Sequence, residues 1–455
     1  MVMGSVPEQV DVAVIGGGVG GYVAAIRAAQ LGGSVAIVEK EKLGGHCLNY
    51  ACIPSKTLIR ISDIFYEAQH SQKFGIDVAS ASIDAKKMYD WRMGVSKKLE
   101  EGVAFLCKSY DIDVFKAAAT FTNPGTLQLT NGVSLEFKKA VIATGSEPSS
   151  LQGFGFGGNV IDYKAALMLD RIPTSMAIIG AGYVAVEIGT LYAKLGTRVS
   201  IVARSDVLSH FDSEAVSIVK RRMASLGIAL YTGVTPASHS GNRLSLSDGR
   251  TIDAELMVVA VGLHPYTDGL GLENTMVKRD DKGFIAVDSS LRTADDRILA
   301  VGDVTGEPML AHRAIRQGII AGEVAMGQNS SFDNVVIPAV IFSDPEIAIA
   351  GTVEEADGIK TAKFPLTALG RAIALDRREG FVKIASDSNG LVKGVEIVSD
   401  DASAMISEAA LAIEMGATLE DIAATIHPHP TYSEAVQEAA EAALGHPVHF
   451  FYGKK

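Results

Sequence analysis

Apolar residues in this chain come in short, nearly unbroken runs, each closed by glycine. Val10-Asp11-Val12-Ala13-Val14-Ile15 is followed by Gly16-Gly17-Gly18-Val19-Gly20-Gly21. A small-residue stretch (Ala24, Ala25, Ala28, Ala29) then ends near Gly32-Gly33 and gives way to Val35-Ala36-Ile37-Val38-Glu39. Strand, glycine turn, helix and strand in that order make a βαβ unit with a G-x-G-x-x-G/A turn. The order returns in Met176-Ala177-Ile178-Ile179, Gly180-Ala181-Gly182-Tyr183-Val184-Ala185, a helix through Glu187 to Leu195-Gly196, and Val199-Ser200-Ile201-Val202. Glycine turns of an ordinary α/β unit are a poor account of two such copies, each with its second strand on schedule.

Ala140-Val141-Ile142-Ala143-Thr144-Gly145 and Leu256-Met257-Val258-Val259-Ala260-Val261-Gly262 look like closing strands of nucleotide domains. Arg297-Ile298-Leu299-Ala300-Val301-Gly302-Asp303 is a further apolar strand ending in an acid. From about Pro338 the texture changes to short β-rich runs and alanine-rich helices (402–415 and 433–444), which reads as a separate α+β domain. The fold class is therefore α/β, with two Rossmann-like dinucleotide-binding domains and a C-terminal α+β domain.

Composition narrows the partners. At 455 residues and 47% hydrophobic, the chain has material for about three cores. A formal net charge of −12 argues against nucleic acid and anionic membranes as partners. No apolar run approaches a membrane span, and Met1 to Glu8 carries no leader pattern. Three cysteines suggest a reducing, cytoplasmic setting.

Two of those cysteines, Cys47 and Cys52, lie within Gly44-Gly45-His46-Cys47-Leu48-Asn49-Tyr50-Ala51-Cys52-Ile53-Pro54-Ser55-Lys56. Pro54 suggests that a helix starts there, because proline is tolerated in a first turn. A helix N-terminus stabilises a thiolate. The cysteines are too few for a disulfide scaffold, and a zinc site would need two further ligands, so no metal is expected. Two inert thiols that happen to lie close remain the competing account.

Taken together, the first glycine turn, the Cys47–Cys52 segment, Ala143-Thr144-Gly145, the second glycine turn, Val301-Gly302-Asp303 and the tail His427-Pro428-His429-Pro430-Thr431-Tyr432-Ser433-Glu434 resemble the flavin-dependent pyridine nucleotide–disulfide oxidoreductases. The resemblance spans essentially the whole chain. It implies an FAD-binding domain in two parts (1–148 and 265–334), an NAD(P)-binding domain (149–264) and a dimerisation domain (335–455). It implies a homodimer with active sites shared between subunits. FAD would lie over Gly16, Gly18 and Gly21, with Glu39 on the adenosine ribose, Thr144 and Gly145 nearby, and Asp303 on the ribityl and phosphate portion. Gly180 and Gly182 would hold the nicotinamide nucleotide. Lys56 would sit beside the flavin, paired with Glu187. Cys47 would be the interchange thiol and Cys52 the charge-transfer thiol. His429 matches the base and Glu434 the acid that orients it, with His427 in a supporting place.

The tail most resembles members that oxidise a protein-bound dihydrolipoyl dithiol. The implied partner is then the lipoylated component of a 2-oxoacid dehydrogenase or glycine cleavage system. The alternatives are a glutathione- or mercuric-reductase-like enzyme, or a mainly structural flavoprotein. The chain departs from the family pattern in two places. His46 stands where threonine is common. Ala203 stands where NAD-using relatives have glutamate, and Arg204 follows it, as in NADP-using relatives, with His210 as a second candidate phosphate contact.

Overall fold

The computed structural model describes residues 8–451. The leader reading of Met1–Glu8 and the end of the Phe450–Lys455 terminus lie outside the described residues, apart from Glu8, Phe450 and Phe451. The chain divides into two compact units. One holds the residues up to Pro173 together with Leu256–Asp333; the other holds Thr174–Glu255 together with the residues from Asn334 onward.

The first unit opens with β1 (Glu8–Ile15), α1 (Val19–Gln30) and β2 (Val35–Glu39). β1 and β2 pair in parallel, with Val12 opposite Val35 and Ile15 opposite Val38. Val12, Ala13 and Val14 are wholly buried. A strand covered on both faces has no polar alternation, so it reads as one apolar run. Helices α2 (Gly45–Asn49), α3 (Cys52–Gln69) and α4 (Ala85–Ser109) follow. β3 (Asp113–Lys116), β4 (Ala119–Asn123), β5 (Thr126–Leu129) and β6 (Ser134–Ile142) complete a sheet in the order β3-β2-β1-β6-β5-β4. β6 runs parallel to β1, and β5 and β4 return antiparallel. β7 (Ser146–Pro148), β8 (Val160–Asp162) and α5 (Tyr163–Leu167) end this stretch.

The second unit begins with β9 (Ser175–Ile179), α6 (Tyr183–Lys194), β10 (Arg198–Ala203), α7 (Ser213–Ser225) and β11 (Ala229–Thr232). Its strands are parallel in the order β11-β10-β9, the second βαβ unit expected from sequence. β12 (Pro236–Ser240), β13 (Arg243–Leu246) and β14 (Thr251–Asp253) form a small antiparallel sheet.

The chain then returns to the first unit. β15 (Leu256–Val259) runs parallel to β8, β16 (Leu263–Pro265) antiparallel to β7, and β17 (Ile298–Ala300) parallel to β6. Residues 149–173 and 256–264, read from sequence with the NAD(P)-binding segment, are thereby joined to each other by β8 and β15 within this unit. α8 (Ala311–Ala325) packs against α1 through small residues. A Cβ on Gly318 would come within 2.5 Å of the Gly20 carbonyl oxygen, and one on Gly322 within 2.7 Å of that of Ala24. Arg27 and Glu323 close this seam with an ion pair of 2.7 Å.

In the second unit, β18 (Ala339–Ile341), β19 (Glu346–Gly351), β20 (Ile359–Pro365), β21 (Phe381–Asp387) and β22 (Val392–Ser399) form an antiparallel sheet in the order β18-β19-β22-β21-β20. α9 (Gly370–Ala374), α10 (Ala402–Glu414), α11 (Leu419–Ala424) and α12 (Glu434–Leu444) complete this part. Phe364, Ile384, Val395, Ile406 and Val436 belong to its buried core.

Candidate active site

The first glycine turn shapes a cradle at the head of α1. Gly16 has φ +101°, and a Cβ there would meet the Ala143 carbonyl oxygen at 2.4 Å. A Cβ on Gly21 would lie 1.9 Å from the Gly16 oxygen, so neither position admits a side chain. Gly18 faces open space, its hypothetical Cβ meeting only Gly45 Cα at 4.0 Å. No side chain caps α1. Its first-turn amides are therefore left for a ligand, which suits a pyrophosphate.

Glu39 ends β2 beside this turn. Its Oε2 accepts the Gly17 N–H at 2.7 Å and its Oε1 the Glu41 N–H at 2.6 Å. Each oxygen keeps a lone pair for a ribose hydroxyl. Thr144 Oγ1 donates to the Tyr266 carbonyl at 2.6 Å, and the Tyr266 N–H donates to Gly145 at 2.9 Å. Asp303 reaches the cradle because α8 carries it there: Gln317 Oε1 accepts the Gly302 N–H at 2.8 Å. Ser146 Oγ donates to Asp303 Oδ2 at 2.7 Å. Burial raises the Asp303 carboxyl above its ordinary range, against this hydrogen bond and the charge of Arg313.

The thiols sit on consecutive helices. Cys47 lies in α2 and Cys52 is the first residue of α3, the helix start that Pro54 suggested. Both are half-buried thiols, not joined by a disulfide. A hydrogen bond with Cys52 holds the Cys47 thiol protonated; burial and the Cys52 charge add to this, and Lys56 opposes it. Lys56 lies one turn along α3 from Cys52. His46 precedes Cys47, with Nε2 3.1 Å from Lys164 Nζ. Burial and then the Lys164 charge push its imidazole down to about 4, so the ring is neutral. Cys107, on α4, is fully buried, and burial raises its thiol.

In the second unit, α6 also begins without a side-chain cap, at Gly182, and Gly180 has φ +141°. Ala203 is buried at the end of β10, and Arg204 and His210 are exposed. The Leu208 N–H donates to Ala181 at 2.9 Å, tying the Arg204–His210 loop to the glycine turn. Glu187, inside α6, is only 5% exposed, and its Oε1 accepts the Phe342 N–H at 3.1 Å.

The tail forms a tight acid–imidazole couple. His429 Nδ1 lies 2.7 Å from Glu434 Oε1, and Glu434 Oε2 accepts the Thr431 N–H at 2.7 Å. The His429 side chain is 77% exposed, which leaves Nε2 toward solvent. Burial would raise Glu434, but the hydrogen bonds from His429 and Thr431 outweigh it and lower its carboxyl. His427 instead pairs with Glu408 at 2.8 Å, outside this couple.

Residues 10–318 match the family described as pyridine nucleotide-disulphide oxidoreductase, and residues 337–440 match its dimerisation domain. The chain belongs to the pyridine nucleotide-disulphide oxidoreductases. It is 43% identical to the dihydrolipoyl dehydrogenase of Geobacillus stearothermophilus over 99% of each chain. It is 42% identical to dihydrolipoyl dehydrogenase 2 of Haloarcula marismortui, covering 99% of this chain and 100% of that one. Among solved structures it is similar to LpdA of Mycobacterium tuberculosis, with a TM-score of 0.89 and 27% identity over 96% of this chain and 99% of the other. As a member of this family the chain is an FAD-dependent oxidoreductase that uses NAD(P). The uncapped, glycine-lined head of α1 fits the flavin nucleotide.

Three supporting residues were not legible in the sequence. Ser146 and Arg313 flank Asp303, and Lys164 meets His46. Ser146 is 157 residues from Asp303, and no local pattern marks such a pairing. Among the described residues, no group of three or more His, Cys, Asp or Glu side chains is placed to hold a metal ion, and no helix is long and apolar enough to cross a membrane.

Proposed function

We propose that this chain is a dihydrolipoyl dehydrogenase: it oxidises dihydrolipoyl groups carried by a partner protein, passing two electrons to NAD(P)+. The observation that carries the reading is the thiol pair formed by Cys47 on α2 and Cys52 at the start of α3, one turn before Lys56. Residues 1–148 and 265–334 are assigned to FAD binding, 149–264 to the nicotinamide nucleotide and 335–455 to a homodimer interface. Gly16, Gly18, Gly21, Glu39, Thr144, Gly145 and Asp303 would hold FAD, with Lys56 and Glu187 as the flavin-side lysine and acid. The proposed setting is the cytoplasm.

Glu434 fixes His429 Nδ1, so Nε2 of one subunit takes a proton from a substrate thiol. The resulting thiolate attacks Sγ of Cys47 in the other subunit's oxidised Cys47–Cys52 pair, and Cys52 leaves as a thiolate. The second substrate thiol then displaces Cys47, closing the lipoyl disulfide. The second thiol's proton goes to the departing Cys47 sulfur, so the pair ends two electrons reduced as a Cys47 thiol and a Cys52 thiolate, with the first proton on His429. FAD supplies the two-electron reoxidation of the dithiol and hydride delivery to the nicotinamide nucleotide.

The enclosing complex, a 2-oxoacid dehydrogenase or the glycine cleavage system, is a matter for pull-down with lipoylated proteins. Steady-state kinetics with dihydrolipoamide and glutathione disulfide, each with NAD and NADP, tests the activity. Turnover of glutathione disulfide but not dihydrolipoamide would reject it.

The nucleotide reading is finer. Ala203 removes the carboxylate that would repel a 2′-phosphate, and exposed Arg204 offers it a charge-assisted contact. NADP is expected to be used at least as well as NAD. Arg204→Ala should weaken NADP by roughly ten- to a hundredfold, and NAD far less. Ala203→Glu should shift preference towards NAD. A strong wild-type NAD preference, unchanged in Arg204→Ala, would overturn this assignment.

A further inference from the structure

His46 and Lys164 are 118 residues apart in sequence, yet their side chains meet. The contact lies at the rim of the glycine cradle. Gly45 packs directly on Gly18, since a Cβ on Gly45 would sit 2.7 Å from Gly18 Cα. The Gly44 N–H donates to the Gly17 carbonyl at 2.8 Å. His46 is therefore the first side chain beyond a contact made by glycines alone.

Lys164 determines what the ring can offer. An ammonium has only donors, so His46 Nε2, 3.1 Å away, must accept. The single ring proton then sits on Nδ1. Among the described residues, Nδ1–H has no hydrogen-bond acceptor. His46 thus carries a donor backed by a cation, on the residue next to the Gly45–Gly18 contact at the uncapped head of α1.

We propose that His46 and Lys164 form a second binding arm for the FAD pyrophosphate: His46 Nδ1–H donates to a phosphate oxygen, while Lys164 fixes the tautomer and adds its charge. His46 is the cofactor contact and Lys164 the positioning residue behind it, and the inference rests on the FAD cradle proposed above. The arm replaces a short hydroxyl with a longer, charge-backed donor. It also places the pyrophosphate contact on the residue next to Cys47, so cofactor seating and thiol placement share one helical turn.

The test uses the full chain stripped of FAD. FAD is titrated by flavin fluorescence, and ADP and adenosine by calorimetry. His46→Ala and Lys164→Met should each loosen FAD and ADP by about tenfold or more and leave adenosine, which has no pyrophosphate, unchanged. His46→Asn, whose amide can place a donor near Nδ1, should stay within about threefold of wild type for FAD and ADP. Lys164→Met should also flatten the salt dependence of ADP binding. Unchanged FAD and ADP affinities in His46→Ala and Lys164→Met would overturn the proposal. So would a loss in His46→Asn equal to that in His46→Ala, with the unfolding midpoint of each apoprotein preserved. A wild-type apoprotein unable to take up FAD would instead reject the flavin cradle itself.

Discussion

Cys47 and Cys52 are chemically the same group in different surroundings. Cys52 starts a helix of 18 residues, whose N-terminal amides favour negative charge there. Cys47 shares a hydrogen bond with it and is held protonated by that bond and by burial. In the proposed mechanism Cys47 exchanges with substrate and Cys52 holds the charge. Replacing either would prevent the proposed Cys47–Cys52 disulfide and leave the glycine cradle intact. Cys47→Ser and Cys52→Ser should therefore each cut dihydrolipoamide turnover by at least roughly three orders of magnitude, with FAD content near wild type. Stopped-flow kinetics and flavin absorbance of the purified variants check both parts; normal turnover in either would remove that cysteine from the mechanism. In the proposed mechanism Glu434 acts one step back from the chemistry, through His429. Glu434→Gln leaves a hydrogen-bonding partner for His429 but no charge, so the expected change is in the pH profile of kcat more than in KM.

At the level of elements, the seam between α1 and α8 brings Asp303 to the cradle. Gly318 touches the Gly20 carbonyl so closely that even a methyl group must push the helices apart. Gly318→Ala should cost about 1–3 kcal/mol of stability and raise the fraction of protein purified without FAD. A variant with an unaltered unfolding midpoint and full FAD would show that the seam yields.

The β20–β22 sheet makes a different prediction. Glu396 on β22 is wholly buried opposite Lys383, which pairs with Asp212 at 2.9 Å, while Lys363 pairs with Glu214 at 2.6 Å. Burial, then the charge of Asp212, raises the Glu396 carboxyl to about 7, against the pull of Lys383. A carboxyl raised on folding binds more protons folded than unfolded, so its contribution is full below its ordinary range near 4.5 and is lost as pH rises through 7. Stability should fall between pH 5 and 8, with Glu396 accounting for about 1–3 kcal/mol. Glu396→Gln should flatten the unfolding midpoint across that range; an unchanged slope would assign the effect elsewhere. Glu346, raised to about 7, and Asp400, raised to about 6, act in the same direction.

The elements were legible in proportion to how locally they are specified. Both βαβ units, the helix start at Cys52 and the α+β tail follow from neighbouring residues. The α1–α8 seam, Ser146 on Asp303 and Lys164 on His46 do not, because each joins residues more than a hundred positions apart, where nothing local records the partner.

At the scale of the whole molecule, neither compact unit is continuous in sequence. The residues proposed for thiol exchange and for proton transfer lie in different units, Cys47 and Cys52 in one and His429 and Glu434 in the other. If each active site draws on both subunits, heterodimers of His429→Ala with Cys52→Ser should regain activity, approaching about half of wild type per dimer at most. Verified heterodimers without activity would mean that each subunit builds its own site. Discontinuity also carries a timetable. α1 leaves the ribosome some three hundred residues before α8, a delay of roughly 15–60 s at ordinary synthesis rates of about 5–20 residues per second. Until α8 arrives, the head of α1 lacks the helix that seats Asp303. A nascent chain stalled before residue 300 should therefore discriminate poorly among nucleotides, and secure FAD capture becomes a late event in the life of each new chain.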